Sequence, residues 1–154
     1  MKTAYVLRKS EGPLPIPALI DRIAGITPDC IQTDSPWVVA RVLNHLAQGV
    51  EFSLAGYPEL KNRIFRGTVG RLAFHVFQHK GEMRHATDAV IPGETVAEGD
   101  AGEAQARLIA ALSAFERAEA VHPHFAYGRL TKSQYAAAHA MHVADHMDDF
   151  RLGA

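Results

Sequence analysis

Along most of the chain apolar residues recur every three or four positions, the period of an amphipathic helix. In "DSPWVVARVLNHLAQGVEFSLAG" one face carries Trp37, Val38, Val42, His45, Leu46, Gly49 and Phe52. Ser35 and Pro36 read as N-cap and first helical residue, and Gly56 with Pro58 as the stop. "YPELKNRIFRGTVGRLAFHVFQHKG" places Phe65, Val69, Leu72, Val76 and, at the edge, His79 on a second face ending at Gly81. In the third helix Leu108, Ala111, Leu112 and Phe115 form the inner stripe, Asp100 caps, and Glu103 sits where a capping box wants it. Thr131 with Gln134 opens the fourth, whose stripe runs through Tyr135, Ala138, His139, His142, His146 and Phe150.

These patterns predict helices near 36–55, 58–80, 101–120 and 132–150, preceded by a short one over Pro17–Ala24. Ala4–Leu7 reads as a short strand or arm, and Glu82–Gly99 as a long loop of the length that often carries function. With no strand series, the expected fold is all-α: an up-and-down four-helix bundle with a short N-terminal helix. The 154 residues read as one domain without internal repeats.

Composition removes several functions. A net charge of −1 and a pI near 6.7 give no field for nucleic acid or an anionic membrane. The single cysteine, Cys30, rules out an internal disulfide and fits a reducing compartment. The opening "MKTAYVLRKSEGPLPIP" is broken by Arg8, Lys9 and Glu11 and reads as no signal peptide, and no 18-residue apolar run exists. The expectation is a cytoplasmic protein with no nucleic-acid or membrane partner. There is no HExxH zinc motif, glycine-rich phosphate loop or nucleophile elbow.

What remains conspicuous is histidine. The chain has nine, and random placement would give roughly half of one i, i+4 pair by template counting. Two such pairs occur, His75/His79 and His142/His146. At this spacing two imidazoles on one helix face can reach one ion at about 2.0–2.1 Å. His75 falls on the solvent side of its helix, so that pair reads as a polar edge. His142 and His146 lie on the inner stripe, within about 60° of each other and of His139. His45, between Val42 and Gly49, is the inward candidate for a third ligand; a hydrogen-bonded core histidine is the alternative.

Taken in order, "LNHLAQ", "GYPELKNRIFRGTVGRLAF", "VIPGE", "HPHFAYGRLTKSQY" and "HAMHVADHMDDF" resemble the DinB-like superfamily of metal-binding four-helix-bundle proteins, over roughly residues 17–150. The resemblance implies a metal site of His45, His142 and His146, one histidine on the first bundle helix and an HxxxH pair on the last. It also implies a homodimer. Two positions depart from close relatives: Asp145 replaces the first of a histidine doublet, and Tyr135 stands where tryptophan is usual.

An ion held by three neutral imidazoles keeps an open position and can lower the pKa of bound water to about 7 or bind a substrate thiolate. The expected cofactor is a divalent transition metal, zinc or nickel first; imidazole ligation alone does not choose between them. The resemblance implies either a hydrolase or a thiol-dependent S-transferase acting on a small molecule, for the latter with a low-molecular-weight thiol as partner. A non-catalytic metal-binding or protein-interaction bundle is the alternative. His139 and Asp149 are the candidate acid/base or ligand-orienting residues. The plain readings are a packed polar residue for His139 and a helix-end charge for Asp149.

Overall fold

The computed structural model describes residues 5–85 and 88–153. It is mostly helical. Helix α1 spans Ile16–Ala24, α2 Val39–Ala55, α3 Arg63–Gly67, α4 Val69–Lys80, α5 Ala101–Arg117 and α6 Lys132–Met147. A two-stranded antiparallel sheet pairs β1 (Ile31–Thr33) with β2 (Phe150–Leu152), Gln32 opposite Arg151. Among the described residues no helix is long and apolar enough to cross a membrane.

The core forms where the periodic stripes meet. Val42, Leu46 and Val50 of α2 lie along Ala104, Leu108, Ala111, Leu112 and Phe115 of α5, all buried. The Arg107 guanidinium ties the same two helices at their rim, bonding both Glu51 carboxylate oxygens at 2.7 and 2.8 Å. α1 packs on the other side of α5 and against α6, burying Ile16, Leu19 and Ile23. α6 begins with a complete capping box: the Thr131 hydroxyl accepts from Gln134 N–H, and the Gln134 side chain accepts from Thr131 N–H. Asp100 caps α5 by accepting from Glu103 N–H at 2.8 Å.

Four expectations need correction. First, the fold is not purely α, because the predicted last helix ends at Met147 rather than near 150. Asp145, Asp148 and Asp149 crowd its C-terminal end, where the helix dipole disfavours negative charge, and fully buried Phe150 continues as strand. The N-terminal arm joins this edge, with Tyr5 bridging Arg151 and Val6 buried; Ala4 lies outside the described residues.

Second, α2 starts at Val39, not Pro36. Ser35 Oγ accepts from Trp37 N–H at 3.2 Å, so it holds a turn before the helix. That turn buries the Trp37 ring while leaving Val38 exposed.

Third, the helix expected over 58–80 is two helices broken at Thr68 (φ −119°, ψ −92°). Fourth, its buried face is Gly70 and Phe74, not the expected stripe: Val69 is 59% exposed, Leu72 65% and Val76 41%. A glycine carries no hydropathy signal, yet Gly70 is the point of closest approach. A Cβ there would sit 2.8 Å from the Ala126 carbonyl carbon and overlap its oxygen. The backbone contact turns α4 so that its valines and Leu72 face outward.

Candidate metal centre

α2 and α6 deliver the three imidazoles. His45 sits one turn before Gly49 on the inner face of α2, and His142 and His146 occupy successive turns of α6. One ligand nitrogen from each lies within 4.8 Å of the others, the group among the described residues fit to hold a metal ion. His45 Nε2 and His142 Nε2 are 3.2 Å apart. Two nitrogens about 2.0–2.1 Å from a tetrahedral ion are separated by about 3.3 Å, so this edge of the site already has ligating dimensions.

The tautomers suit ligation. His45 Nδ1 faces both oxygens of Glu94 at 3.0 Å, which makes Nδ1 the N–H donor and leaves Nε2 with its lone pair toward His142. Glu94 is itself fixed by the Ile91 N–H at 2.7 Å. Burial and the neighbouring His146 and His45 hold the His142 imidazole well below its ordinary range. Burial and His45 bring His146 down to about 3. Both are therefore neutral, the ligating form, at pH 7.

His146 Nδ1 is buried with no hydrogen-bond partner among the described residues. An unsatisfied buried imidazole nitrogen is costly unless something outside the chain meets it. Beside two other imidazoles, a cation is the natural counterpart, so the donor set fits the expected metal. Trp37 stacks on His146 at 6.2 Å with planes 13° apart and meets His45 edge-on at 5.1 Å, fixing both rings.

Glu94 carries no periodic signal and is the main residue that residue-by-residue reasoning misses. It belongs to the 82–99 loop, which α2 holds down with three side chains. Asn44 donates to the Ala97 and Glu98 carbonyls, His45 meets Glu94, and Gln48 accepts from Thr95 N–H at 2.9 Å. Losing such an outer partner costs about 10–100-fold in metal affinity. Glu94→Gln is therefore expected to weaken zinc binding by about tenfold or more in a competition titration with a chelator, without loss of helicity.

His85 and Asp145 form a second group at the rim. Asp145 accepts from the His85 backbone N–H at 3.2 Å and faces His85 Nδ1 at 3.3 Å and Lys9 Nζ at 3.4 Å. Burial pushes the Asp145 carboxyl up, but His85 and Lys9 outweigh it and hold it below its ordinary value. Asp145, a departure from the familiar doublet, is thus a buried anion beside the site.

The two expected acid/base residues part company. Asp149 lies in the turn between α6 and β2, its carbonyl accepting from Asp34 N–H, and does not line the cavity beside the histidines. His139 does line it. Its Nε2 donates to Ser53 Oγ at 2.9 Å, because the Ser53 hydroxyl proton is engaged by the Val50 carbonyl. The ring stacks on Tyr135 at 5.2 Å and meets Phe115 edge-on at 5.0 Å. His75 and His79 are exposed on α4 and take no part.

Burial lowers the His139 pKa to about 3, against about 6.5 in the unfolded chain. Between these values the unfolded chain binds the extra proton, so the contribution is complete above pH 6.5 and is lost as pH falls toward 3. At 1.36 kcal/mol per unit this is about 3 kcal/mol between pH 6.5 and pH 4. Urea unfolding of metal-free protein is expected to show that decline added to the like contributions of His124, His142 and His146, and His139→Phe to remove its own share of the slope. An equal slope in the variant would contradict the assignment.

The cavity measures about 90 Å³. It runs from His45, His142 and His146 past His85 and His139 to Tyr57, His124 and Tyr127, roofed by Val90 and Ile91 of the 82–99 loop. The profile of a protein family described as "Protein of unknown function (DUF1569)" matches residues 16–152, nearly the whole of the described fold. The chain belongs to the DUF1569 family. No curated protein and no solved structure matches it. The three imidazoles and the cavity of this DUF1569 member all lie within the matched span.

Proposed function

We propose that this DUF1569 protein is a metal-dependent enzyme acting on a small molecule, of hydrolase or thiol-dependent S-transferase type. In this reading α2, α4, α5 and α6 are the helices of an up-and-down four-helix bundle of DinB-like kind. His45, His142 and His146 hold one divalent transition metal, zinc or nickel first, with water or substrate in the remaining position.

The observation that carries the reading is the cavity. A structural or storage site closes its ion within packed side chains, usually with four protein ligands. Here all three histidines line a cavity whose other wall is built by Tyr57, His85, His124 and Tyr127. The bound metal would supply an acidified water or an activated thiolate. The chain's own residues orient the ligands: Glu94 holds His45, and Trp37 packs His45 and His146. His139, donating to Ser53, is in this reading a packed wall residue more than an acid/base.

The experiment is a screen of purified zinc- or nickel-loaded protein for thiol transfer and for ester and amide hydrolysis, with His45→Ala as control. Activity lost in the control supports the reading. Full metal occupancy with no turnover in any class supports the non-catalytic alternative. A cytoplasmic setting and a homodimer belong to the same proposal. The exposed Ile64, Val69 and Leu72 provide an apolar face for pairing, and sedimentation equilibrium at a monomer mass would end that part.

A further inference from the structure

The cavity that the metal ligands line also holds a histidine whose ring proton has no partner among the described residues. His124 sits at one end of a tight loop, its backbone N–H donating to the Gly128 carbonyl at 2.8 Å and its carbonyl accepting from Gly128 N–H at 3.2 Å. Within that loop His124 Nδ1 accepts from both Ala126 N–H and Tyr127 N–H, each at 3.1 Å. A neutral imidazole has one donor and one acceptor nitrogen. With Nδ1 accepting twice, the proton must be on Nε2, and no residue of the described chain takes it. The ring is clamped flat on Tyr127 at 4.1 Å with planes 6° apart, and Tyr57 packs edge-on at 5.3 Å. Burial, with His139 and His85 nearby, holds His124 well below the ordinary imidazole range, so it is an uncharged donor at pH 7.

The remaining lining is informative through its chemistry. Among the described residues the cavity wall has no lysine, arginine, aspartate or glutamate, and its body is Gly49, Met83, Val90, Ile91, Phe125 and Ala138. A second ionic group on a ligand would be buried here without a counter-charge, at a cost of several kcal/mol. At about 90 Å³ the space holds about three waters or about four buried heavy atoms of a ligand.

We propose that His124 is a substrate-binding residue, and that the cavity takes a small uncharged molecule whose carbonyl-type oxygen accepts the His124 Nε2–H while its other end meets the metal. This rests on the metal-site reading above and adds the substrate class to it. Carboxylate-bearing and acceptor-free analogues are discriminated against, the first by burial of charge and the second by leaving Nε2–H unpaired.

His124→Asn is the informative variant, because its side-chain oxygen can keep accepting from Ala126 and Tyr127 while the Nε2–H is lost. Two measurements are made. Long-range 1H–15N NMR of metal-free protein is expected to show His124 as the Nε2–H tautomer, with that proton shifting on addition of N-methylacetamide. Cobalt-loaded protein is then titrated with N-acetylcysteamine, 1-butanethiol and 3-mercaptopropionate, each anchored by its sulfur and read by sulfur-to-cobalt charge-transfer absorption.

N-acetylcysteamine is expected to bind about tenfold tighter than 1-butanethiol, and that preference to fall to near unity in His124→Asn, the loss of one net hydrogen bond, while the preference over 3-mercaptopropionate, set by burial of charge, remains. An Nδ1–H tautomer, no response to N-methylacetamide, or a ranking unchanged in the variant overturns the proposal. If cobalt fails to bind while N-methylacetamide still shifts the His124 proton, the metal reading falls and the His124 assignment stands.

Discussion

His45→Ala is expected to remove bound metal as completely as His146→Ala, although the two residues stand on different helices far apart in the sequence. Each supplies one of three imidazoles whose ligand nitrogens lie within 4.8 Å of one another, and two imidazoles compete poorly with buffer for a divalent ion. The loss should exceed the roughly 10–100-fold cost of removing an outer hydrogen-bonding partner, so Glu94→Gln provides a graded intermediate. His142→Ala should match the other two ligand variants. His75→Ala and His79→Ala should retain full metal content because both side chains face solvent on α4. His139→Ala should retain it as well, since its recorded hydrogen bond runs to Ser53. Metal analysis of these six alanine and glutamine variants together with His142→Ala, on tag-free protein with circular dichroism as a folding check, measures the pattern. Metal retained in His45→Ala and lost in His79→Ala would place the site elsewhere.

Gly70→Ala is expected to be the most damaging single-methyl change in the protein. In an ordinary helix interior alanine is favoured over glycine by about 1 kcal/mol. Here the new methyl would lie 2.8 Å from the Ala126 carbonyl carbon and overlap its oxygen, and neither neighbour is a flexible side-chain tip. Overpacking against backbone costs about 1–3 kcal/mol and occasionally more. With the cost at the top of that range and the helix gain subtracted, we expect a net loss of about 2 kcal/mol, a fall in Tm of roughly 4–8 °C for a chain of this size. Gly67→Ala is the control, because a Cβ there meets nothing within 4 Å, and it should be neutral or slightly stabilising. Thermal unfolding of both variants tests the pair. Equal Tm values would mean that the loop carrying Ala126 yields freely, against the packing described. Displacement of that loop would also disturb Tyr127 and His124, so ligand affinity should fall in Gly70→Ala alone.

The parts of this molecule that could be read from its sequence are those encoded by local spacing. His142 and His146 are one helical turn apart on an apolar stripe, and the caps at Asp100 and Thr131 lie where their hydrogen bonds are made. The share of His45 was only partly local: its inward face followed from spacing, but its pairing with α6 needed the resemblance. Elsewhere a long-range contact decided the outcome. Gly70 against Ala126 rotated α4 away from its hydropathy pattern, and the three-residue β2 exists because β1, far back in the chain, offers an edge. Glu94 and His124 belong to irregular segments, where function depends on which backbone groups a side chain meets. The Nδ1 of His124 takes two N–H groups from a turn that no periodicity announces.

In the proposed centre three imidazoles from α2 and α6 hold one metal ion beside a cavity. X-ray absorption at the metal edge of zinc-loaded, tag-free protein at pH 7 tests it most directly. One zinc per chain with three imidazole nitrogens at about 2.0–2.1 Å and one lighter oxygen donor is the expected result. Retained zinc with sulfur ligation, with fewer than three imidazoles, or with a spectrum unaltered by His45→Ala would contradict it.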